Sequence, residues 1–307
     1  MTDILITEYL DDAAVRTLAA EFAVHYDPTL VGRPDDIAAL GADVPALIVR
    51  HRTQVRGAVL DAFKRLRVVG RLGVGLDNID VETCRARGIE VCPARGANAV
   101  SVAEYVIAAC FIGLRNVWQV TDAVLAGQWP RNELMLSEVS GKRMGLIGFG
   151  DIGRQTAIRA RALGMEVVAS ERAGFTPEPF EGVEFTDLAT LLATSDVISL
   201  HAPFLPETRN LIDRAALGRM KKGAVLINSA RGGMIDDAAL ADALKSGHLR
   251  AAFLDAFEIE PLPVGSVLAG APNLFLTPHV AGVTEEANLR VSSVTVANVQ
   301  RVLRGRG

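Results

Sequence analysis

The sequence predicts an α/β protein of two doubly wound parallel-sheet domains, one flavodoxin-like and one Rossmann-type. Three observations carry this. Short apolar runs recur along the chain, each followed by a segment of helical spacing, which is the pattern of parallel strands joined by crossover helices. One such unit, Met144-Gly-Leu-Ile-Gly-Phe-Gly-Asp-Ile-Gly153, runs from an apolar strand through three glycines into a helical segment. A chain of 307 residues exceeds what one small core organises. The alternation accordingly divides into a series before that unit and a series that begins with it.

In the first series, residues 3–7, 46–50, 67–71 and 89–93 read as buried strands, with helical patterns at 12–22, 56–63 and 78–87. Residues 99–114 form a long helix whose one charged residue is Glu104. A helix apolar most of the way round is expected to be buried between domains or against another subunit, so a homodimer is the expected assembly. A second helical run is expected over 117–129. From the glycine turn onward, strands are expected at 144–149, 165–170, 196–200, 224–228, 251–254 and 274–277, with a last helix over 284–303. No internal repeat or low-complexity tract interrupts either series.

Each glycine of the turn has a physical task. Gly148 permits the sharp turn, Gly150 lets backbone approach a pyrophosphate, and Gly153 lets the helix pack close to the strand. The phosphates would rest on free N–H groups at the positive end of the helix. After the helix, residues 164–170 read as a second strand that ends at Glu171, roughly 20 residues beyond the turn, where the dinucleotide fingerprint places an acidic residue. A carboxylate there accepts the ribose hydroxyls of NAD and repels the 2′-phosphate of NADP, so NAD is favoured. Arg172, which could welcome that phosphate, argues the other way.

Composition excludes other classes. With 32 basic and 36 acidic residues the net charge is −4, which recommends neither nucleic acid nor an anionic membrane as partner. No apolar run approaches the roughly 20 residues of a membrane span, and the first residues lack a basic signal-peptide region. Cys84, Cys92 and Cys110 are odd in number and without metal-type spacing, which points to a reducing cytoplasm and to no metal centre.

Hydride transfer to a carbonyl needs a cation to hold and polarise the oxygen, an acid to protonate it, and a group to tune that acid. Candidates follow the late strands. Arg231 comes after strand 224–228, ahead of two glycines, and His279 comes after strand 274–277. Glu260 is one of several carboxylates; paired with His279 it would favour the imidazolium and hold the ring.

Taken in order, the Gly148 turn, Leu200-His-Ala-Pro203 with Thr208, residues 228–233 with Asp236, residues 255–260 with Pro261, and Pro278-His279 resemble the D-isomer-specific 2-hydroxyacid dehydrogenase family. The resemblance runs from about residue 48 to about residue 287, and residues 69–80 carry it in the first series. It implies a discontinuous substrate domain, residues 1–98 with 284–307, and an NAD-binding domain over 99–283. It implies that Arg231 binds the substrate carboxylate and carbonyl, that His279 is the acid/base, and that Glu260 supports its protonated form. Asp255 would lie near the nicotinamide carboxamide, with Ser229 and Ala230 on the same side. Asp151 and Ile152 would touch the pyrophosphate, and His201, Pro203, Thr208 and Gly282 complete the implied cofactor set. The N–H groups of Leu72, Gly73, Val74 and Gly75 would cradle the substrate carboxylate.

Arg50-His-Arg-Thr53 and Arg71 resemble the phosphoglycerate and sulfolactate dehydrogenase branch of the family. There, Arg50 and Arg52 would meet a second anionic group on carbon 3 of the substrate, phosphate or sulfonate. A chain ending at Gly307 is expected to lack the regulatory ligand-binding domain of many phosphoglycerate dehydrogenases. Hydroxypyruvate or glyoxylate reduction is the alternative within the class, and an NAD(H)-binding co-repressor-like module is the alternative outside it.

Overall fold

The computed structural model describes residues 2–171, 175 and 178–305, which fall into two compact units, Met1–Asn98 with Val283–Gly307, and Ala99–Gly282. In the first unit the chain runs β1 (Ile4–Ile6), α1 (Asp12–Ala19), β2 (Val24–Tyr26), α2 (Pro34–Gly41), β3 (Ala46–Val49), α3 (Gly57–Ala62), β4 (Val68–Arg71), α4 (Val81–Ala86) and β5 (Glu90–Pro93). These strands form a parallel sheet of order β2-β1-β3-β4-β5, the flavodoxin-like order. Side chains cap α1 and α4: Asp11 accepts the N–H groups of Ala13 and Ala14, and Asp80 that of Thr83.

The second unit runs α5 (Ala99–Arg115), α6 (Thr121–Leu125), β6 (Arg143–Ile147), α7 (Asp151–Ala162), β7 (Glu166–Ser170), β8 (Val183–Phe185), α8 (Leu188–Thr194), β9 (Val197–Leu200), α9 (Arg214–Arg219), β10 (Ala224–Asn228), α10 (Asp237–Lys245), β11 (Leu249–Leu254) and β12 (Leu274–Leu276). Its seven strands are all parallel, ordered β12-β11-β10-β9-β6-β7-β8. Strand order reverses between β6 and β9, the crevice where doubly wound sheets bind ligands. The last helix, α11 (Glu285–Leu303), returns to the first unit, and its N-cap Thr284 accepts the N–H of Ala287.

Apolar layers cover both faces of each sheet, which is why the strands read as continuous hydrophobic runs. In the first unit Leu18, Val291, Val296 and Val299 close one face, while Ile37, Val59, Leu60 and Phe63 close the other. In the second unit Leu191, Leu217, Leu240 and Leu244 pack on one face, and Val106, Cys110, Leu114, Ala157 and Ala160 on the opposite one. All three cysteines are free and buried.

The structure departs from the sequence expectations at several elements. Strands β2 and β8 and helices α2, α8, α9 and α10 were not individually anticipated. The two strands are three-residue edge segments with partly exposed side chains, so they lack a full apolar run. The helix expected over 117–129 reduces to a 3-10 turn, Val117–Val120, and five-residue α6. Asn116 at φ 41° breaks the chain away from α5, and Gly127 at φ 72° followed by Pro130 ends the segment. The apolar character of α5 is met in part within its own unit. Val102, Ala103, Val106, Ala109, Cys110 and Leu114 are buried, and the helix packs on α7, β10 and β11.

Gly113 sets that packing, because a Cβ there would lie 2.7 Å from Val225 Cγ1 and 3.1 Å from the Phe253 ring. Gly113→Val is therefore expected to wedge α5 off the sheet and cost about 1–3 kcal/mol, read as a lowered urea midpoint at unchanged slope.

Candidate active site

Because every strand of the second unit runs the same way, the residues after each strand gather along one edge. Gly148 follows β6, Glu171 follows β7, His201 follows β9, Ser229 to Arg231 follow β10, Asp255 follows β11, and His279 is the third residue after β12.

The glycine turn is tight where a ligand is not needed and open where one is. Gly148 takes φ 92°, and a Cβ on it would lie 2.8 Å from Ala202 N and 2.9 Å from His201 C. A Cβ on Gly153 would lie 2.7 Å from Gly148 O, so the helix sits directly on the turn. Around Gly150 a Cβ would meet nothing within 4 Å. Gly150 is also the N-cap of α7 and brings no side chain to it, so the N–H groups of Asp151, Ile152 and Gly153 form an uncapped positive helix end. Glu171 Oε1 accepts the N–H of Phe149 at 2.6 Å, which ties the ends of β6 and β7 and fixes the carboxylate beside the turn. Arg172 lies outside the described residues.

Two buried polar atoms along this edge, His201 Nε2 and Ser229 Oγ, have no hydrogen-bond partner among the described residues. Buried polar groups are ordinarily satisfied, so orphans here fit an edge that receives a polar ligand. The open Gly150, the uncapped helix end and the Glu171 carboxylate together suit the pyrophosphate and ribose of a dinucleotide. Thr208 is differently employed. Its hydroxyl donates to Pro203 O at 2.8 Å and accepts Leu205 N–H at 2.7 Å, so it shapes the 203–208 loop.

At β10, Asn228 folds the loop that follows. Its Oδ1 accepts Ala230 N–H at 3.0 Å and its Nδ2 donates to Arg231 O at 2.7 Å. Gly232 must be glycine, since a Cβ would fall 1.8 Å from Phe257 C. That contact brings the Arg231 loop against the segment carrying Glu260. Arg231 is held partly by its own Nη1 bond to Ala230 O at 2.7 Å.

Glu260 and His279 are brought together. The Glu260 carboxylate oxygens lie 3.0 and 2.9 Å from His279 Nδ1, and Oε1 also accepts Phe257 N–H at 3.0 Å. A carboxylate only accepts, so Nδ1 carries the proton of that bond and Nε2 is the nitrogen left to exchange one. His279 sits at φ 56°, an unusual place for a residue with a Cβ. Asp255, 1% exposed, holds this loop: it accepts Val280 N–H and Ala281 N–H at 2.8 Å each and the Thr277 hydroxyl at 2.6 Å. The sequence marked Asp255 only for the nicotinamide; its structural bonds go to the residues flanking His279.

The carboxyl edge of the first unit carries the remaining candidates. Buried Glu8, after β1, accepts the N–H groups of Arg50, Arg52 and Thr53 at 2.9, 3.2 and 2.9 Å. Burial pushes its carboxyl up, but those backbone bonds more than offset this and hold it below the usual carboxylate range. Nothing in the sequence singled out Glu8, because its role depends on a loop 42 to 45 residues away. Arg52 is exposed and Arg50 half-buried. Arg71 folds back so that Nη1 donates to Leu72 O at 2.6 Å, over Gly73, where a Cβ would lie 1.9 Å from that nitrogen. The expected four-donor cradle is narrower than the sequence suggested. Leu72 N–H is spent on Val49 O and Gly73 N–H on Arg71 O, which leaves Val74 and Gly75 as donors.

Among the described residues no His, Cys, Asp or Glu cluster could hold a metal, and no helix is long and apolar enough to cross a membrane.

Comparison with known proteins gives the same direction. Residues 107–281 match the family described as D-isomer specific 2-hydroxyacid dehydrogenase, NAD binding domain. The chain is 50% identical over 307 residues to the (S)-sulfolactate dehydrogenase of Chromohalobacter salexigens, covering 99% of each. It is 38% identical to the D-3-phosphoglycerate dehydrogenase of Methanocaldococcus jannaschii, covering 99% of this chain and 58% of that one. Among solved structures, the D-lactate dehydrogenase of Aquifex aeolicus, complexed with NAD and lactic acid, superposes with a TM-score of 0.85 at 26% identity, covering 99% of this chain and 96% of that one.

His201 yields a pH test. Burial pushes its imidazole down from 6.5 to about 4. Between those values the unfolded chain binds a proton that the folded chain refuses, so stability falls as pH drops through that window, by up to about 1.4 kcal/mol per pH unit. Urea unfolding of the wild type should steepen in this way against His201→Gln, which has no imidazole to protonate; parallel pH profiles would contradict it.

Proposed function

The chain belongs to the D-isomer-specific 2-hydroxyacid dehydrogenase family, and from that premise we propose that it interconverts a 2-hydroxy acid bearing an anionic group on carbon 3 with its 2-oxo acid, using NAD. The observation that carries the chemistry is the Glu260–His279 pair, which presents an imidazole Nε2 at the same sheet edge as the dinucleotide turn.

The cofactor would be held by Gly148, Gly150, Asp151, Ile152, Gly153 and Glu171, with His201, Pro203, Ser229, Ala230, Asp255 and Gly282 beyond them. Bound NAD supplies the hydride acceptor in oxidation and, reduced, the donor in the reverse direction. In oxidation, neutral His279 takes the proton of the C2 hydroxyl on Nε2 while Arg231 holds the oxygen and the carboxylate. The C2–O bond becomes a carbonyl as the C2 hydrogen leaves with its electron pair. The imidazolium so formed is stabilised by Glu260, whose charge lies against Nδ1. In reduction the same proton returns from His279 to the oxygen.

The substrate assignment rests on residues of the first unit. The N–H groups of Val74 and Gly75 take the C1 carboxylate, and Arg50 and Arg52, on a loop fixed by Glu8, take the anion on carbon 3. Half identity over the full length to a sulfolactate dehydrogenase favours a sulfonate there. A homodimer is supported by the exposed apolar side chains of Leu125, Trp129 and Met135 and by the half-exposed Ile107, Phe111 and Ile112 of α5. The free cysteines support a reducing, cytoplasmic setting.

His279→Asn should lower kcat about 10²–10⁴-fold, the range of a lost general acid/base, with NADH binding retained by fluorescence titration. Full activity in that variant would refute the assignment. In a panel of 3-sulfolactate, 3-phosphoglycerate, glycerate, lactate and malate with NAD and NADP, the 3-sulfonate with NAD should give the highest kcat/KM. Arg50→Ala and Arg52→Ala should each raise KM for it about 10–100-fold, the scale of one charged hydrogen bond. Equal turnover of lactate and glycerate in wild type and variants would remove the carbon-3 anion from the proposal.

A further inference from the structure

Helix α5 reaches the catalytic loop through one hydroxyl. Tyr105 Oη lies 2.8 Å from Thr277 Oγ1, and Thr277 Oγ1 lies 2.6 Å from Asp255 Oδ1. The direction of these bonds follows from donor counting. The Asp255 carboxylate can only accept, so the single Thr277 hydroxyl proton points to it. Tyr105 must then donate to Thr277. The result is an oriented chain from phenol to hydroxyl to carboxylate, in which each bond polarises the next.

The far end of that chain is the clamp on His279. Asp255 is 1% exposed and has no ion pair among the described residues. Its donors are Thr277, two residues before His279, and Val280 and Ala281, the two residues after it. Between them the backbone of His279 is turned to φ 56°, with its N–H on Thr277 O at 3.0 Å. A histidine does not adopt that conformation freely, so the surrounding bonds must specify it. Glu260 fixes the ring by its Nδ1, whereas the Asp255 chain fixes the backbone from which the ring projects. The Tyr105 phenol remains a donor throughout: burial pushes it up, the Thr277 bond opposes this, and the nearby Asp255 charge adds to the rise.

We propose that Tyr105 is a positioning residue for the reaction, acting through Thr277 and Asp255 to hold the 277–281 loop in the conformation that aims His279. The inference rests on His279 being the proton carrier. Tyr105 lies 174 residues from His279 in sequence, on a helix that otherwise serves the core.

The test is steady-state kinetics on the full chain with 3-sulfolactate and NAD, beside NADH fluorescence titration. Tyr105→Phe removes one oxygen and keeps the ring. It should lower kcat about 3–10-fold, the scale of one neutral hydrogen bond, with KM and NADH affinity within about twofold of wild type. Thr277→Val should lower kcat at least as far, and Thr277→Ser, which restores the hydroxyl, should recover most of that loss. In the Thr277→Val background, Tyr105→Phe should add little, because the chain is already broken. An unchanged kcat in Tyr105→Phe, or full additivity of the two losses, would overturn the proposal. A parallel loss of kcat, KM and NADH affinity in Tyr105→Phe that Thr277→Val does not share would also overturn it, since the tyrosine would then serve packing alone. If His279→Asn is fully active, the reading of the acid/base fails instead, a result independent of Tyr105.

Discussion

Seven parallel strands share one direction, and this constraint organises the second unit. A strand's last residue and the loop after it must leave the sheet at the same edge as those of its neighbours. The glycine turn after β6, the carboxylate after β7 and the histidines after β9 and β12 therefore lie along one edge of the sheet despite wide separation in sequence. The reversal of strand order between β6 and β9 opens the edge at one point, and there Gly148 meets the His201–Ala202 backbone closely enough to exclude any Cβ. The topology thus sets a dinucleotide-type glycine turn and the Glu260-paired His279 imidazole along one edge of one sheet.

Within that edge, carboxylates do the positioning. Glu260 orients the His279 ring, Asp255 orients its backbone, and Glu171 joins the ends of β6 and β7. Glu8 does the same for the 50–53 loop of the first unit. Each accepts at least one main-chain N–H group that has no partner in helix or sheet. At Glu8 the backbone bonds hold the carboxyl below its usual range, so there it contributes a fixed negative charge as well as geometry.

Much of this was legible in the sequence, and the limits have physical causes. Buried parallel strands such as β3 and β10 are continuous apolar runs, and a glycine turn between strand and helix has few competing readings. The edge strands β2 and β8 are half exposed, so their composition carries no such signal. Among the site candidates, the sequence placed Arg231 and His279 after late strands, and the structure pairs His279 with Glu260. Site chemistry was illegible where a common side chain gains its role from groups distant in sequence, as with the backbone partners of Glu8 and the side-chain partners of Thr277. The Leu72 and Gly73 N–H groups show the converse: a glycine-rich loop suggested four open donors, but two are consumed by the strand β3 and by the turn itself.

The central claim, that the Glu260–His279 edge carries hydride chemistry on the C2 hydroxyl, is tested most directly with substrate deuterated at carbon 2. Incubated with NAD and the enzyme, the label should appear on carbon 4 of the reduced nicotinamide, with a primary isotope effect on single-turnover NADH formation. Recovery of the deuterium in solvent water, with unlabelled NADH or none, would contradict the account.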